Sequence, residues 1–117
     1  MADETPAVAS ELVSIADFRR LDLRIAKILE ARPHPNADRL VLLKVDVGGQ
    51  QKQIIAGIRA WYTPESLVGR SIVVVNNLQP AMLRGEESNG MLLAATSGDQ
   101  VILLTPDREC LSGAKIS

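Results

Sequence analysis

From Leu21 the chain alternates apolar and polar residues with a period of two, and the alternation slips once inside a single segment. Leu21, Leu23 and Ile25 alternate with Asp22, Arg24 and Ala26, after which Ile28 and Leu29 are both apolar and adjacent. Period two places successive side chains on opposite faces of a strand, so a one-residue slip would turn the apolar set outward. A slip with no turn residue beside it predicts a β-bulge, the device that bends a long strand sharply, as in a barrel. The segment stops at "RPHPNAD", where two prolines and Asn-Ala-Asp mark a turn.

Shorter strands follow. Val41, Leu43, Val45 and Val47 alternate against Leu42, Lys44 and Asp46 in the segment 40–47, Gly48-Gly49 turns the chain, and 51–56 returns as the second arm of a hairpin. Pro64-Glu65-Ser66-Leu67 puts proline at the first position of a short helix, with Gly69 as its stop. "SIVVVNN" reads as a buried fourth strand, "GMLLAAT" as a fifth, Ser97-Gly98-Asp99 as a turn and "QVILLT" as a sixth, before an extended tail. Upstream, Ser14 followed three residues later by Asp17 predicts a capped helical turn near 15–20, and residues 1–13 read as a loose leader. Five strands with one small helix between the third and fourth is the order of an OB-fold barrel. The expected architecture is therefore all-β: a five-stranded barrel over about 20–96 within a single domain, 14–117, with an appended strand and tail.

The chemistry of an enzyme is missing from this pattern. His34 is the one histidine, Cys110 the one cysteine, and neither has a base or a second ligand beside it in sequence. A lone cysteine makes neither an internal disulfide nor a zinc site, and Gly48-Gly49 is followed by neither a helix nor a basic anchor for phosphate. The expectation is a non-catalytic protein with no cofactor and no metal. No apolar run is long enough for a membrane span, and "MADETPAVASELV" lacks the form of a secretory signal, so a cytoplasmic location is expected. Net charge is −1, yet between Phe18 and Arg84 stand 11 Lys/Arg against 5 Asp/Glu, a local +6 able to form a basic face. Phe18, Trp61 and Tyr62 are the only aromatics. That is too few for a generic single-strand binder, which stacks successive bases on several rings, and it favours a reader of folded shape.

The blocks "DFRRLDLRIAKILEARPHPNADRL", "VDVGGQQKQIIAGI", "YTPESLVGRSIVVVNNLQPAMLRGEESNGMLLAA" and "SGAKIS" resemble, in order and spacing, the tRNA-binding domain family. The likeness runs from about Asp17 to Ile116. The family includes free-standing structure-specific tRNA-binding proteins and the carboxy-terminal appendix, or detached subunit, of methionyl-tRNA synthetases. The resemblance implies an OB-fold, a homodimer, and a grip on the outer corner of L-shaped tRNA, with methionyl-tRNA synthetase as a possible partner. A peptide-binding, chaperone-like branch of the same fold is the alternative, although that branch typically lacks the "HPNADRL" block.

The resemblance also nominates residues. Arg84, Ser88 and Met91 fall in the "LRG…S.GM" block that faces RNA, and Arg39 follows the aspartate of "HPNADRL". An arginine fork suits a phosphate, a serine hydroxyl a phosphate or ribose, and a flexible thioether an exposed base or sugar. Two of them have a plainer alternative: an ion pair with Glu86 or Glu87 for Arg84, and the inward side of the fifth strand for Met91. His34 is open between a polar contact to the ligand and an exposed turn residue. Asn77 is a turn residue able either to meet RNA or to satisfy backbone, and Lys44, on one face of the second strand, would extend the basic track. The apolar sixth strand and the tail exceed what one barrel uses. They are expected, with the 14–20 turn, to form the dimer interface.

Overall fold

A computed structural model describes residues 11–117 of the 117-residue chain; most of the predicted leader, residues 1–10, lies outside the described residues. The first element, α1 (Ile15–Phe18), is capped as its sequence predicts: the Ser14 hydroxyl accepts the Asp17 amide at 3.0 Å. β1 (Leu23–Pro33) is the spine of the molecule. Its partner β2 (Val41–Val47) pairs Ile28 with Val45 and then Glu30 with Lys44, so Leu29 is the extra residue of a bulge at the predicted slip. Ala26 and Ile28 face the core before the bulge and Ala31 packs against it afterwards, so the apolar set stays inside through the bend.

β2 and β3 (Gln50–Ala56) form a hairpin whose two-residue turn has Gly48 at φ 63° and Gly49 at φ 95°. α2 (Pro64–Leu67) follows, and its Leu67, 0% exposed, plugs the core. Behind it the Gly69 amide donates to the Ile28 carbonyl at 2.8 Å, which brings β4 (Ser71–Val75) antiparallel to β1. Val41, Leu43, Val45, Ile54, Ile72 and Val74 fill the interior, at roughly 1.5–3 kcal/mol for each fully buried large aliphatic.

Two segments depart from expectation. The loop after β4 contains a small hairpin, β5 (Ala81–Leu83) and β6 (Glu86–Ser88). The predicted fifth strand is divided at Leu93: β7 (Met91–Leu92) pairs with β4, whereas β8 (Ala94–Ser97) pairs with β9 (Gln100–Leu103) in a hairpin of its own. Leu103 enters the common core, so the sixth strand is part of this barrel's packing rather than surplus to it.

The order β3-β2-β1-β4-β7 makes a curled, barrel-like sheet, all-β as expected. Just ahead of β7, the Asn89 amide donates to the Gln53 carbonyl of β3 at 2.8 Å. The tail also has a place on its own barrel, which corrects the expectation that it would be left over. β10 (Lys115–Ile116) pairs with the start of β1, and the Ser112 hydroxyl lies 2.6 Å from the Asp46 carbonyl and 2.7 Å from its carboxylate while accepting the Gly48 amide at 3.1 Å. Gly113 packs so tightly there that a Cβ would stand 2.6 Å from Gly48 Cα.

Candidate nucleic-acid interface

The β5–β6 hairpin turns through Arg84 at φ 56° and Gly85 at φ 90°, with Leu83 paired to Glu86. Both central residues are left-handed, the geometry of a two-residue turn matched to strand twist, but arginine seldom occupies it. Its side chain stands exposed at the tip, and among the described residues it forms no ion pair. Glu86, the proposed alternative partner, instead accepts Gln53 Nε2 at 3.2 Å, and the Glu87 carbonyl accepts the same amide at 2.9 Å. The hairpin is thereby stitched to β3, and neither Glu86 nor Glu87 forms an ion pair with Arg84.

Ser88 is at the root of the hairpin, not on its surface. It is 5% exposed; its Oγ accepts the Ile55 amide at 3.0 Å and donates to the Gly90 carbonyl at 3.1 Å. The expected hydroxyl contact to RNA is corrected accordingly: the oxygen is turned inward and both its functions are taken. Met91, by contrast, is 47% exposed while Leu92 turns inward, which removes the alternative of an inward methionine.

His34 is likewise neither an exposed turn residue nor a free polar group. The residue is 3% exposed; the Asn36 amide donates to Nδ1 at 2.9 Å, and Nε2 lies 2.9 Å from the Leu83 carbonyl. Because Nδ1 must accept, the proton is on Nε2, which donates to Leu83. The turn that begins there closes through Leu40, whose carbonyl accepts the His34 amide at 3.0 Å and whose own amide donates to Ala37. Arg39 is exposed at its end.

Arg59 adds a second cation beside it, one that sequence reasoning missed. Its amide donates to the Arg39 carbonyl at 3.4 Å and its guanidinium to the Asp38 carbonyl at 3.3 Å. Nothing in "GIRAWY" signals this, because the proximity comes from the β2–β3 pairing that ends at Val41 and Ala56. Met82, exposed on the hairpin two residues before Arg84, was also not singled out.

Lys44 extends from β2 beside Glu30, with Nζ 3.5 Å from the carboxylate. Both are largely exposed, and such a pair contributes at most about 1 kcal/mol, so the lysine remains free to exchange partners. Glu30, Arg32, Leu42, Lys44 and Gln53 line a shallow depression of about 320 Å³ on the outer face of the sheet, next to the hairpin that Gln53 holds. Asn77 lies elsewhere. Its Oδ1 accepts the Asp22 amide and its Nδ2 donates to the Arg20 carbonyl, each at 2.8 Å, so it serves backbone in the turn before β1. Asp22 itself is held below its ordinary carboxylate value, chiefly by the Asn76 amide donating to it; burial opposes this, and Arg24, by hydrogen bond and charge, lowers it further.

Residues 23–115 match the family described as "Putative tRNA binding domain". The chain belongs to this family. Over 114 residues it is 54% identical to the methionine–tRNA ligase of Thermotoga maritima, covering 97% of this chain but 18% of the ligase. With the enzyme of the same name from Thermococcus kodakarensis the identity is 52% over 106 residues, 91% of this chain and 14% of the ligase. The chain thus spans less than a fifth of these relatives. Among solved structures it resembles a MetRS-related protein from Pyrococcus horikoshii, at a TM-score of 0.87 and 30% identity over 92% of this chain and all of that one. It also resembles the chaperone CsaA from Bacillus anthracis, at a TM-score of 0.83 and 35% identity over 92% of this chain and all of that one.

Proposed function

We propose that this chain is a non-catalytic tRNA-binding protein that recognises the folded outer corner of tRNA as a homodimer, in the cytoplasm, beside methionyl-tRNA synthetase. The observation that carries the reading is Arg84: an arginine with no ion-pair partner among the described residues, held at a hairpin tip in a chain of this family. Arg39 on the turn before β2 and Arg59, bonded to that turn from the connection after β3, supply further cations, and Lys44 a weaker one on the sheet face. Arginine forks position a protein on phosphates, while Met91 and Met82 offer adaptable apolar contact to a sugar or base. Sequence-tolerant phosphate contacts from rigid elements suit recognition of a shape.

The homodimer is supported by apolar surface in the expected places. Ile15, Phe18 and Leu21 are exposed beside β10, and Ile102, Leu104 and Leu111 are exposed on the carboxy-terminal quarter. The second reading, a peptide-binding chaperone, is favoured by exposed Leu78, Met82, Leu83 and Met91, apolar groups that an extended peptide could cover. A gel shift with total tRNA and a linear RNA competitor separates the two. The tRNA reading expects a shifted complex that linear RNA of equal charge does not dissolve. Binding to unfolded peptides with no shifted tRNA complex supports the chaperone reading instead, and equal competition by linear RNA means polyanion binding that does not read the fold.

A further inference from the structure

We infer that His34 is a positioning residue for nucleic-acid binding, fixing the separation between the Arg39 turn and the Arg84 hairpin tip; the inference rests on the tRNA-binding reading. Its ring reaches from Asn36, in the turn, to the carbonyl of Leu83, whose peptide bond leads directly into Arg84. Among the described residues no other hydrogen bond joins residues 33–40 to β5 or β6. A neutral imidazole with its proton on Nε2 accepts at one edge and donates at the opposite one, so a single flat side chain spans the gap. At 3% exposure, water cannot readily replace either bond.

The consequence concerns binding more than folding. Two cations on independently moving loops must be ordered when a rigid polyanion docks, and that ordering is subtracted from affinity. The His34 bridge orders them beforehand. Without it, the hairpin remains attached to β3 through Ser88 and Gln53, yet its tip is no longer referenced to the Arg39 turn.

Two substitutions divide the bridge. In His34→Asn the side-chain oxygen occupies the place of Nδ1 and still closes the turn on the Asn36 amide, but nothing reaches Leu83. In His34→Gln the terminal amide reaches the place of Nε2 and still donates to Leu83. His34→Gln is expected to bind tRNA within about twofold of the native chain. His34→Asn is expected to lose close to tenfold at 0.1 M salt, with a salt dependence flatter by about one charge, as Arg84 drops out of the complex. Adding Arg84→Gln to His34→Asn should then cost little more.

If His34→Asn binds like the native chain while Arg84→Gln still weakens binding, the coupling is wrong and the tRNA reading stands. If Arg84→Gln and Arg39→Ala are also silent, the RNA face is misplaced and the inference falls with it. The native chain supplies a test independent of RNA and of any variant's folding. ¹⁵N spectra of the imidazole should show bare Nδ1 and a slowly exchanging proton on Nε2; a ring protonated on Nδ1, or one exchanging freely, overturns the bridge.

Discussion

Arg84→Gln removes one charge while keeping a long polar side chain, so it isolates the electrostatic contribution of the hairpin tip. Because Arg84 has no ion-pair partner among the described residues, the charge it brings to RNA need not first be taken from a carboxylate. Each phosphate neutralised adds about 0.9 to the slope of log affinity against log salt for a duplex, relative to a reference near 1 M. One contact is then worth roughly fifteenfold at 50 mM, eightfold at 0.1 M and fourfold at 0.2 M. The assay is fluorescence anisotropy of labelled tRNA at those three salt concentrations, with native chain and variant side by side. The expected result is a deficit that shrinks with salt, equally for different tRNAs. Arg84→Gly is the control for backbone strain: at φ 56° glycine should relieve the left-handed penalty and raise stability by up to about 1 kcal/mol, while binding weakens as in the glutamine variant. A salt-independent deficit, or none at all, refutes the phosphate contact.

Ser88→Ala should destabilise the fold by about 1–3 kcal/mol in urea denaturation, because the buried Ile55 amide loses its acceptor; native stability would show that the hydroxyl is not holding the hairpin. Gly113→Ala should cost on the order of 2 kcal/mol or more, since its Cβ meets Gly48 backbone at 2.6 Å and its φ is +89°; an unchanged thermal midpoint contradicts the docked tail. Asp22, with its folded value lowered by Asn76 and Arg24, contributes stability that is fully present above the ordinary carboxylate value of 3.8 and is lost as pH falls through the lower folded value. Asp22→Asn should therefore flatten the acid limb of stability measured from pH 6 downward, and an unchanged limb counts against that network.

Local rules exposed much of the barrel. The Ile28–Leu29 slip specified the bulge because one-residue register is dictated by burial, and Pro64 specified α2 because its φ and missing amide suit a first turn. The β5–β6 hairpin escaped notice for the opposite reason. Its strands are three residues long, too short to alternate, and its turn places arginine where glycine or asparagine usually signals the left-handed geometry. The site was least legible at Ser88 and His34. A hydroxyl or an imidazole in a polar loop looks available for a ligand, but here each is turned inward by partners distant in sequence, Ile55 and Leu83. Arg59 was missed through the same dependence on long-range pairing, whereas Arg39 and Arg84 were nominated by the family blocks that contain them rather than by any local rule.

The claim that folded shape is what this chain recognises is tested most directly by one competition titration. A labelled tRNA bound to the native chain is displaced either by the same unlabelled tRNA or by that tRNA cleaved into short single-stranded fragments, at matched phosphate concentration and 0.1 M salt. Intact tRNA is expected to displace the label, while the fragments, carrying the same bases and the same charge, do so only at far higher concentration. Displacement by the fragments at equal phosphate concentration would mean that the arginines of the hairpin and turn bind polyanion without reading its fold.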